Sequence, residues 1–305
     1  MLLFVLTLIS TTWVGAESLG ANIIDVATND GLASALTAFL HGWEFSIPLM
    51  TILLAHELGH YIAGRIHGVD ISPPYFIPMP LSMLGTMGAV IGMGDRIEKR
   101  NALLDIGAAG PLAGLVFALP LFIFGIAQSP IQPIQSGGGY LLEGHSILYE
   151  ILLYALKAPI PAGMDIFLTP TAFAAWAGLL VTMINLIPVG QLDGGHIAYA
   201  LFGPAQNRYG RVVRNLLPVI AISTSAWFAL AAWRAGSGWE HIGSEALAGI
   251  HWMIWFIVLN VMARWSGSGH PPTNDGELSP RRRIIAIGTL IIFVLIFMPV
   301  WVRNA

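Results

Sequence analysis

The sequence predicts an all-α polytopic integral membrane protein with about 6–7 transmembrane helices and a small membrane re-entrant β-hairpin. Three observations carry that prediction. Of 305 residues, 55% are hydrophobic and only 10% are charged, too few charges to cover a soluble chain of this size. Apolar runs of roughly 20 residues, each able to cross about 30 Å of hydrocarbon as helix, recur from end to end. Basic residues also alternate between successive loops, as membrane insertion requires.

Seven candidate spans follow in order: residues 1–16, 46–66, 102–127, 170–190, 215–233, 249–264 and 284–302. In the first, Val14 and Ala16 imitate a signal-peptide cleavage site, but no Lys or Arg precedes the apolar run. The second carries the chemistry described below. Residues 71–94 break helix with Pro73, Pro74, Pro78, Pro80, Gly85, Gly88, Gly92 and Gly94 while staying apolar. Such a backbone cannot face lipid unpaired, so the segment reads either as a re-entrant hairpin or as an ordinary apolar loop. Residues 128–169 are Gly-rich at Ser136 to Tyr140 and apolar around Ile147 to Leu156, which suggests an external loop with an interfacial helix. Eleven of the 14 Lys and Arg fall in loops on one side: Arg65, Arg96, Lys99 and Arg100, then Arg208, Arg211 and Arg214, then Arg264, Arg281, Arg282 and Arg283. That places the N-terminus in the cytoplasm and the C-terminus outside. Trp227, Trp233, Trp239, Trp252 and Trp255 read as an interfacial belt.

Zero cysteines exclude disulfides, thiolate nucleophiles and cysteine-ligated metals, so any metal must be held by His and carboxylate. A net charge of -3 with no basic patch argues against nucleic acid as a partner. No repeat of 20–50 residues announces the inverted halves of a transporter.

The second span contains His56, Glu57, Leu58, Gly59 and His60. Residues four apart share a helix face, so both imidazoles can reach one metal with the Glu beside its open position. Two His and a Glu inside a membrane helix are also costly unless they serve a function. A third protein ligand is needed, and Asp193 lies in Asn185-Leu-Ile-Pro188-Val-Gly-Gln-Leu-Asp193-Gly-Gly-His196, at the end of the fourth span. The charge pattern puts both segments at the cytoplasmic ends of their spans, hence at matching depth.

Bland readings cover the remaining polar residues. His196 and His67 read as neighbours of the ligands, and His41, His145, His241, His251 and His270 as interfacial groups. Asp105 reads as a helix-dipole partner, Asn260 as a helix-to-helix hydrogen bond or a cavity-lining group, and Gly107, Gly110 and Gly114 as a close-packing face.

These motifs resemble the site-2 protease family of intramembrane zinc metalloproteases, in its compact prokaryotic type without a PDZ domain. The resemblance rests on His56-Glu57-Leu58-Gly59-His60, Asn185-x-x-Pro188 leading to Leu192-Asp193-Gly194, Gly85-x-x-Gly88, Ala109 to Gly114, and His270-Pro271-Pro272. It implies one catalytic Zn2+ bound by His56, His60 and Asp193, with Glu57 as general base and acid. It implies that Asn185 contacts the substrate backbone or the oxyanion. It implies that segment 71–94, with Gly85 and Gly88, offers a strand edge to the substrate. The resemblance points to a single metalloprotease domain over 1–305 with its core at 44–272. The external loop of about 40 residues is too short for a PDZ domain.

The expected function is therefore hydrolysis of a peptide bond within or next to the transmembrane segment of a single-span membrane protein, as in regulated intramembrane proteolysis. The expected location is a prokaryotic cell membrane, with the active-site end cytoplasmic. The rival from another class is a non-catalytic metal-binding scaffold or a divalent-metal transporter. A transporter wants ligands distributed along a path, and a scaffold needs no base where Glu57 stands.

Overall fold

The computed structural model describes residues 1–20, 22–92, 94, 97–133, 141–266, 270, 273 and 276–304. Arg96, Ser136 to Tyr140, and Pro271 with Pro272 lie outside the described residues. The chain is mostly helical and divides into two compact units, the first comprising Met1–Ile97, Ala108–Gln132 and Leu152–Thr182 and the second Glu98–Gly107, Pro133–Ile151 and Met183–Ala305.

In the first unit, helix α1 (Leu2–Ser18) buries a face of small and hydroxyl residues: Thr7, Ser10, Thr11, Thr12, Val14, Gly15 and Ala16. Three of the hydroxyls donate back along the helix, Thr7 to Leu3 O at 2.8 Å, Thr11 to Thr7 O at 2.9 Å and Thr12 to Leu8 O at 2.7 Å. A face that satisfies its own polar groups can be buried at little cost. After α2 (Ile23–Asn29) and α3 (Leu32–His41), Gly42 opens α4 (Trp43–Ile66). A Cβ on Gly15 would lie 2.6 Å from Gly42 O, and one on Gly42 would collide with Thr12 O. The two helices therefore cross at bare backbone, and Thr11 and Ser46 hydroxyls bond across the crossing at 2.6 Å.

Segment 71–94 pairs with itself. Strands β1 (Tyr75–Pro78) and β2 (Thr86–Val90) are antiparallel, with Tyr75 opposite Val90, Phe76 opposite Ala89 and Pro78 opposite Thr86 across a bulge. Ser72 N to Gly92 O at 2.8 Å and Gly94 N to Asp70 O at 2.9 Å extend the pairing. Buried Phe76 meets Phe4 of α1 edge-on at 5.2 Å, and Ser10 Oγ donates to Gly85 O at 2.6 Å, so the hairpin is seated on α1.

Helix α5 (Arg100–Gln128) follows. The segment expected as an external loop contains short strands β3 (Ile131–Pro133), β4 (Leu141–Glu143) and β5 (Met164–Ile166) and the helix α6 (Ile147–Lys157). The helix stands where the apolar run is, whereas strands of three residues leave no periodic signal in a sequence. Helix α7 (Pro170–Asn185) closes with its last turn in the second unit.

The second unit continues with α8 (Asp193–Phe202), a 3₁₀ turn at Gly203–Ala205, α9 (Gln206–Arg234), α10 (Trp239–Glu245), α11 (Ile250–Ser266), α12 (Pro280–Ile296) and β6 (Val302–Asn304), which pairs antiparallel with β4. Arg100 ties down the end of α8, its Nε donating to Ala200 O at 2.6 Å and an Nη to Leu201 O at 3.2 Å. Three bland readings are corrected here. Asp105 takes both Nε and Nη2 of Arg282, at 2.9 Å and 2.6 Å, so it is a bidentate ion-pair partner rather than a helix-dipole group alone. Asn260 Nδ2 donates to Phe256 O at 2.7 Å in its own helix, and Trp252 is fully buried with Nε1 bonded to Pro299 O at 2.8 Å, a core residue and not part of a belt.

Among the described residues, three helices or helix pairs are long and apolar enough to cross a membrane: Arg100–Gln128, Asp193–Arg234 and Trp239–Trp265. The number rises to five if the bent pairs Leu2–Ser18 with Ile23–Asn29 (77°) and Leu32–His41 with Trp43–Ile66 (42°) each count as one span. The expected span 170–190 is shorter, because the helix stops at Asn185 ahead of Pro188 and of Gly190 at φ +57.

Candidate metal centre

Helix α4 buries Phe45, Leu49, Ile52, Leu53, His56 and Glu57. The first five recur at three- and four-residue steps, so the apolar stripe that packs the helix is also the stripe that carries His56 inward. His56 is 3% exposed and Glu57 8%. One turn on, His60 Nε2 lies 3.1 Å from His56 Nε2. Two imidazole nitrogens turned on each other inside a helix bundle are the arrangement that a shared cation explains best.

The glycines of α5 fit that face. A Cβ on Gly59 would lie 2.5 Å from Ala109 O, one on Gly114 would lie 3.4 Å from His56 Cβ, and one on Gly110 would strike the His60 ring at Nε2. The close-packing face read from the sequence is thus real, and at Gly110 and Gly114 the surface it packs on is the histidine pair. Gly110→Ala is accordingly expected to push the His60 ring aside and lower metal content at least tenfold, measured by metal analysis of purified protein. Unchanged metal with a normal fold would separate Gly110 from the site.

In the second unit, Asn185 is the last residue of α7 and Asp193 the first of α8. The connection is tight: Ile187 N bonds Ile184 O at 3.2 Å, Val189 N bonds Ile187 O at 2.7 Å, and Leu192 N bonds Val189 O at 3.3 Å. A Cβ on Gly194 would collide with Leu186 O, and one on Gly195 would lie 2.8 Å from Val189 O. The pair of glycines thus lets the start of α8 fold back against the loop that precedes Asp193. Asp193 therefore begins a helix rather than ending a span.

Two histidines described as neighbours or interfacial groups belong together. His196 Nδ1 and His270 Nε2 are 2.7 Å apart, Tyr199 stacks on His270 at 4.2 Å, and His270 N donates to Asn207 Oδ1 at 2.7 Å. His270 is buried, and no spacing in the sequence reveals a pair separated by 74 residues.

His56 and His60 offer two imidazole nitrogens on one face of α4, and Asp193 offers a carboxylate in the first turn of α8. Gly85 and Gly88 have other roles. Gly85 (φ +73) approaches Thr11, whose Cα would lie 2.7 Å from a Cβ there, so its missing side chain serves the seat on α1. Gly88 (φ +90) has open space around it and is glycine for its backbone conformation.

Long apolar helices and a facing pair of imidazoles define the class: a membrane metalloprotein. Within that class the chain belongs to Peptidase family M50, which it matches over residues 44–224. It is 35% identical over 180 residues to a protein named probable zinc metalloprotease EGY2, chloroplastic, of Arabidopsis thaliana, covering 57% of this chain and 29% of the relative. It is 28% identical over 267 residues to probable zinc metalloprotease EGY1, chloroplastic, of the same plant, covering 85% of this chain and 44% of the relative. EGY2 of Oryza sativa subsp. japonica is 34% identical over 185 residues, covering 58% of this chain and 32% of the relative. The chain thus spans between about a third and a half of the length of these relatives. By name all three are plastid proteins, which differs from the expected prokaryotic membrane.

Proposed function

We propose that this chain is a zinc metalloendopeptidase that hydrolyses a peptide bond within or next to the transmembrane segment of a single-span membrane protein. The observation that carries this reading is buried His56 facing His60 one turn on, with buried Glu57 between them, on a helix of Peptidase family M50. In this reading His56, His60 and Asp193 would hold the ion. When bound, zinc supplies Lewis-acid polarisation of the scissile carbonyl and lowers the pKa of water to about 7. Glu57 takes the proton of the attacking water and returns it to the leaving amine. Asn185 donates to the substrate carbonyl as charge develops on it. A scaffold has no use for that base, and a transport path has no use for donors gathered at one point. Purified chain in detergent, incubated with single-span membrane proteins, is expected to cleave at least one of them, with loss under chelation and recovery on added zinc. Cleavage indifferent to chelation would defeat the proposal.

The topology belongs to the same reading. Counting α7 and α12 as short spans, each roughly 25 Å long at 1.5 Å per residue, brings the total to the expected seven. With eleven basic residues on one side, a reporter fused after Arg214 or Arg283 should read cytoplasmic, or stromal in a plastid, and one fused within 136–140 should read opposite. Inverted readings at both would reverse the side from which water enters.

The hairpin also belongs to it. A helical substrate must open to be cut, and each backbone group left unpaired in a low-dielectric site costs several kcal/mol. A strand edge on β1 and β2 would take up those groups as an added strand. Tyr75, Met87 and Val90 leave the hairpin with exposed apolar side chains suited to a hydrophobic partner. Proline placed singly at positions 87–91 is expected to cut cleavage at least tenfold at one or more positions with metal content unchanged. Full activity across the scan would remove the hairpin from the mechanism and leave the metal chemistry intact.

A further inference from the structure

The second unit contains a cavity of about 240 Å³ whose walls are the Val189 to Leu192 loop, the start of α9 and the last turns of α11. Its charge is one-sided: Arg211 and Arg214 line it, and among the described residues no acidic side chain does. Two polar atoms in its wall are buried and lack a partner among the described residues, the Nε of Arg214 and the Oε1 of Gln206, and Gln206 is only 1% exposed. Gln206 is held in place by donating its Nε2 to Pro188 O at 3.3 Å, which leaves the carbonyl oxygen unmatched. Buried unsatisfied groups in a native fold call for a ligand or ordered water that completes them. Gln191 and Asn207 add polar groups to the wall, and its apolar side comes from Leu259 and Met262, with Trp265 at the rim 87% exposed.

We infer that this cavity binds the headgroup of an anionic phospholipid. The chemistry required is an anionic oxygen group to accept from Arg214 and Arg211, next to a hydroxyl or ammonium that donates to Gln206. A phosphate diester carrying a glycerol or amine headgroup offers both, and arginine is the side chain best shaped for phosphate. The volume lies below the range of about 300–1,000 Å³ for whole drug-sized ligands, which fits a headgroup whose acyl chains stay in the bilayer. Arginine and tryptophan at the end of an apolar helix are also the groups that settle at a membrane interface. The loop forming one wall leads directly into Asp193, so an occupied cavity braces the turn that starts α8. The inference does not depend on the chain being a protease.

The test is native mass spectrometry and thermal melting of the purified full chain with phosphatidylglycerol, phosphatidylcholine or inorganic phosphate added. Phosphatidylglycerol should bind and raise the melting temperature, with an apparent affinity about thirtyfold above that for phosphatidylcholine, as expected for two interfacial arginines. The double variant Arg211→Gln with Arg214→Gln should lose that preference. Arg211→Glu, at a residue exposed enough to leave folding intact, should reduce it several-fold, whereas Arg303→Gln, which lies outside the cavity wall, should retain it. Equal binding of the two lipids, or an unchanged preference in both cavity variants, overturns the inference. Displacement of phosphatidylglycerol by millimolar inorganic phosphate would assign the cavity to a soluble anion and overturn the lipid assignment.

Discussion

Glu57→Gln should abolish peptide hydrolysis while leaving about one equivalent of bound metal, because the amide keeps the shape of the carboxylate but cannot accept a proton. Loss of a general base costs roughly 10²–10⁴ in rate, which would put the variant at or below background in a gel-based cleavage assay. The packing around the residue should survive: Glu57 is buried beside His56, and replacing one oxygen by NH2 changes neither volume nor the helix that carries both ligands. The informative comparison is therefore activity against metal content in the same preparation. Cleavage at a wild-type rate with full metal would remove Glu57 from the chemistry.

Asp193→Ala should lower metal occupancy and activity together, because under the proposed ligand set it would leave only two imidazoles to hold the ion. Asp105→Ala is the matched control. Asp105 is bonded to Arg282 by two nitrogens, so its loss strands a guanidinium and should lower the melting temperature while leaving metal content unchanged. Full metal in Asp193→Ala combined with loss in another acidic variant would mean that a different carboxylate is the third ligand.

The membrane class, the helical architecture and the histidine pair were all legible in the chain itself. Long-range composition decides the solvent, and a four-residue spacing on a helix decides that two side chains share a face whatever surrounds them. The self-pairing of segment 71–94 was legible only as one of two options, since proline and glycine forbid helix without choosing a partner. Helix ends were less legible. The span drawn to residue 190 stops at Asn185, because Pro188 and Gly190 direct a reversal whose extent depends on Gly194 and Gly195 fitting under the loop.

Tertiary structure alone decided which bland residues were engaged. Asp105 finds Arg282 across 177 positions and His196 finds His270 across 74, and the identity of a partner so distant in sequence leaves no local pattern to read. The glycines of α5 show the same division. Their spacing of three and four announced a close contact, but only the fold shows that the surface Gly110 and Gly114 meet is the His60 and His56 pair. A missing Cβ declares that something comes near, and the identity of that something is set by packing between helices remote in the chain.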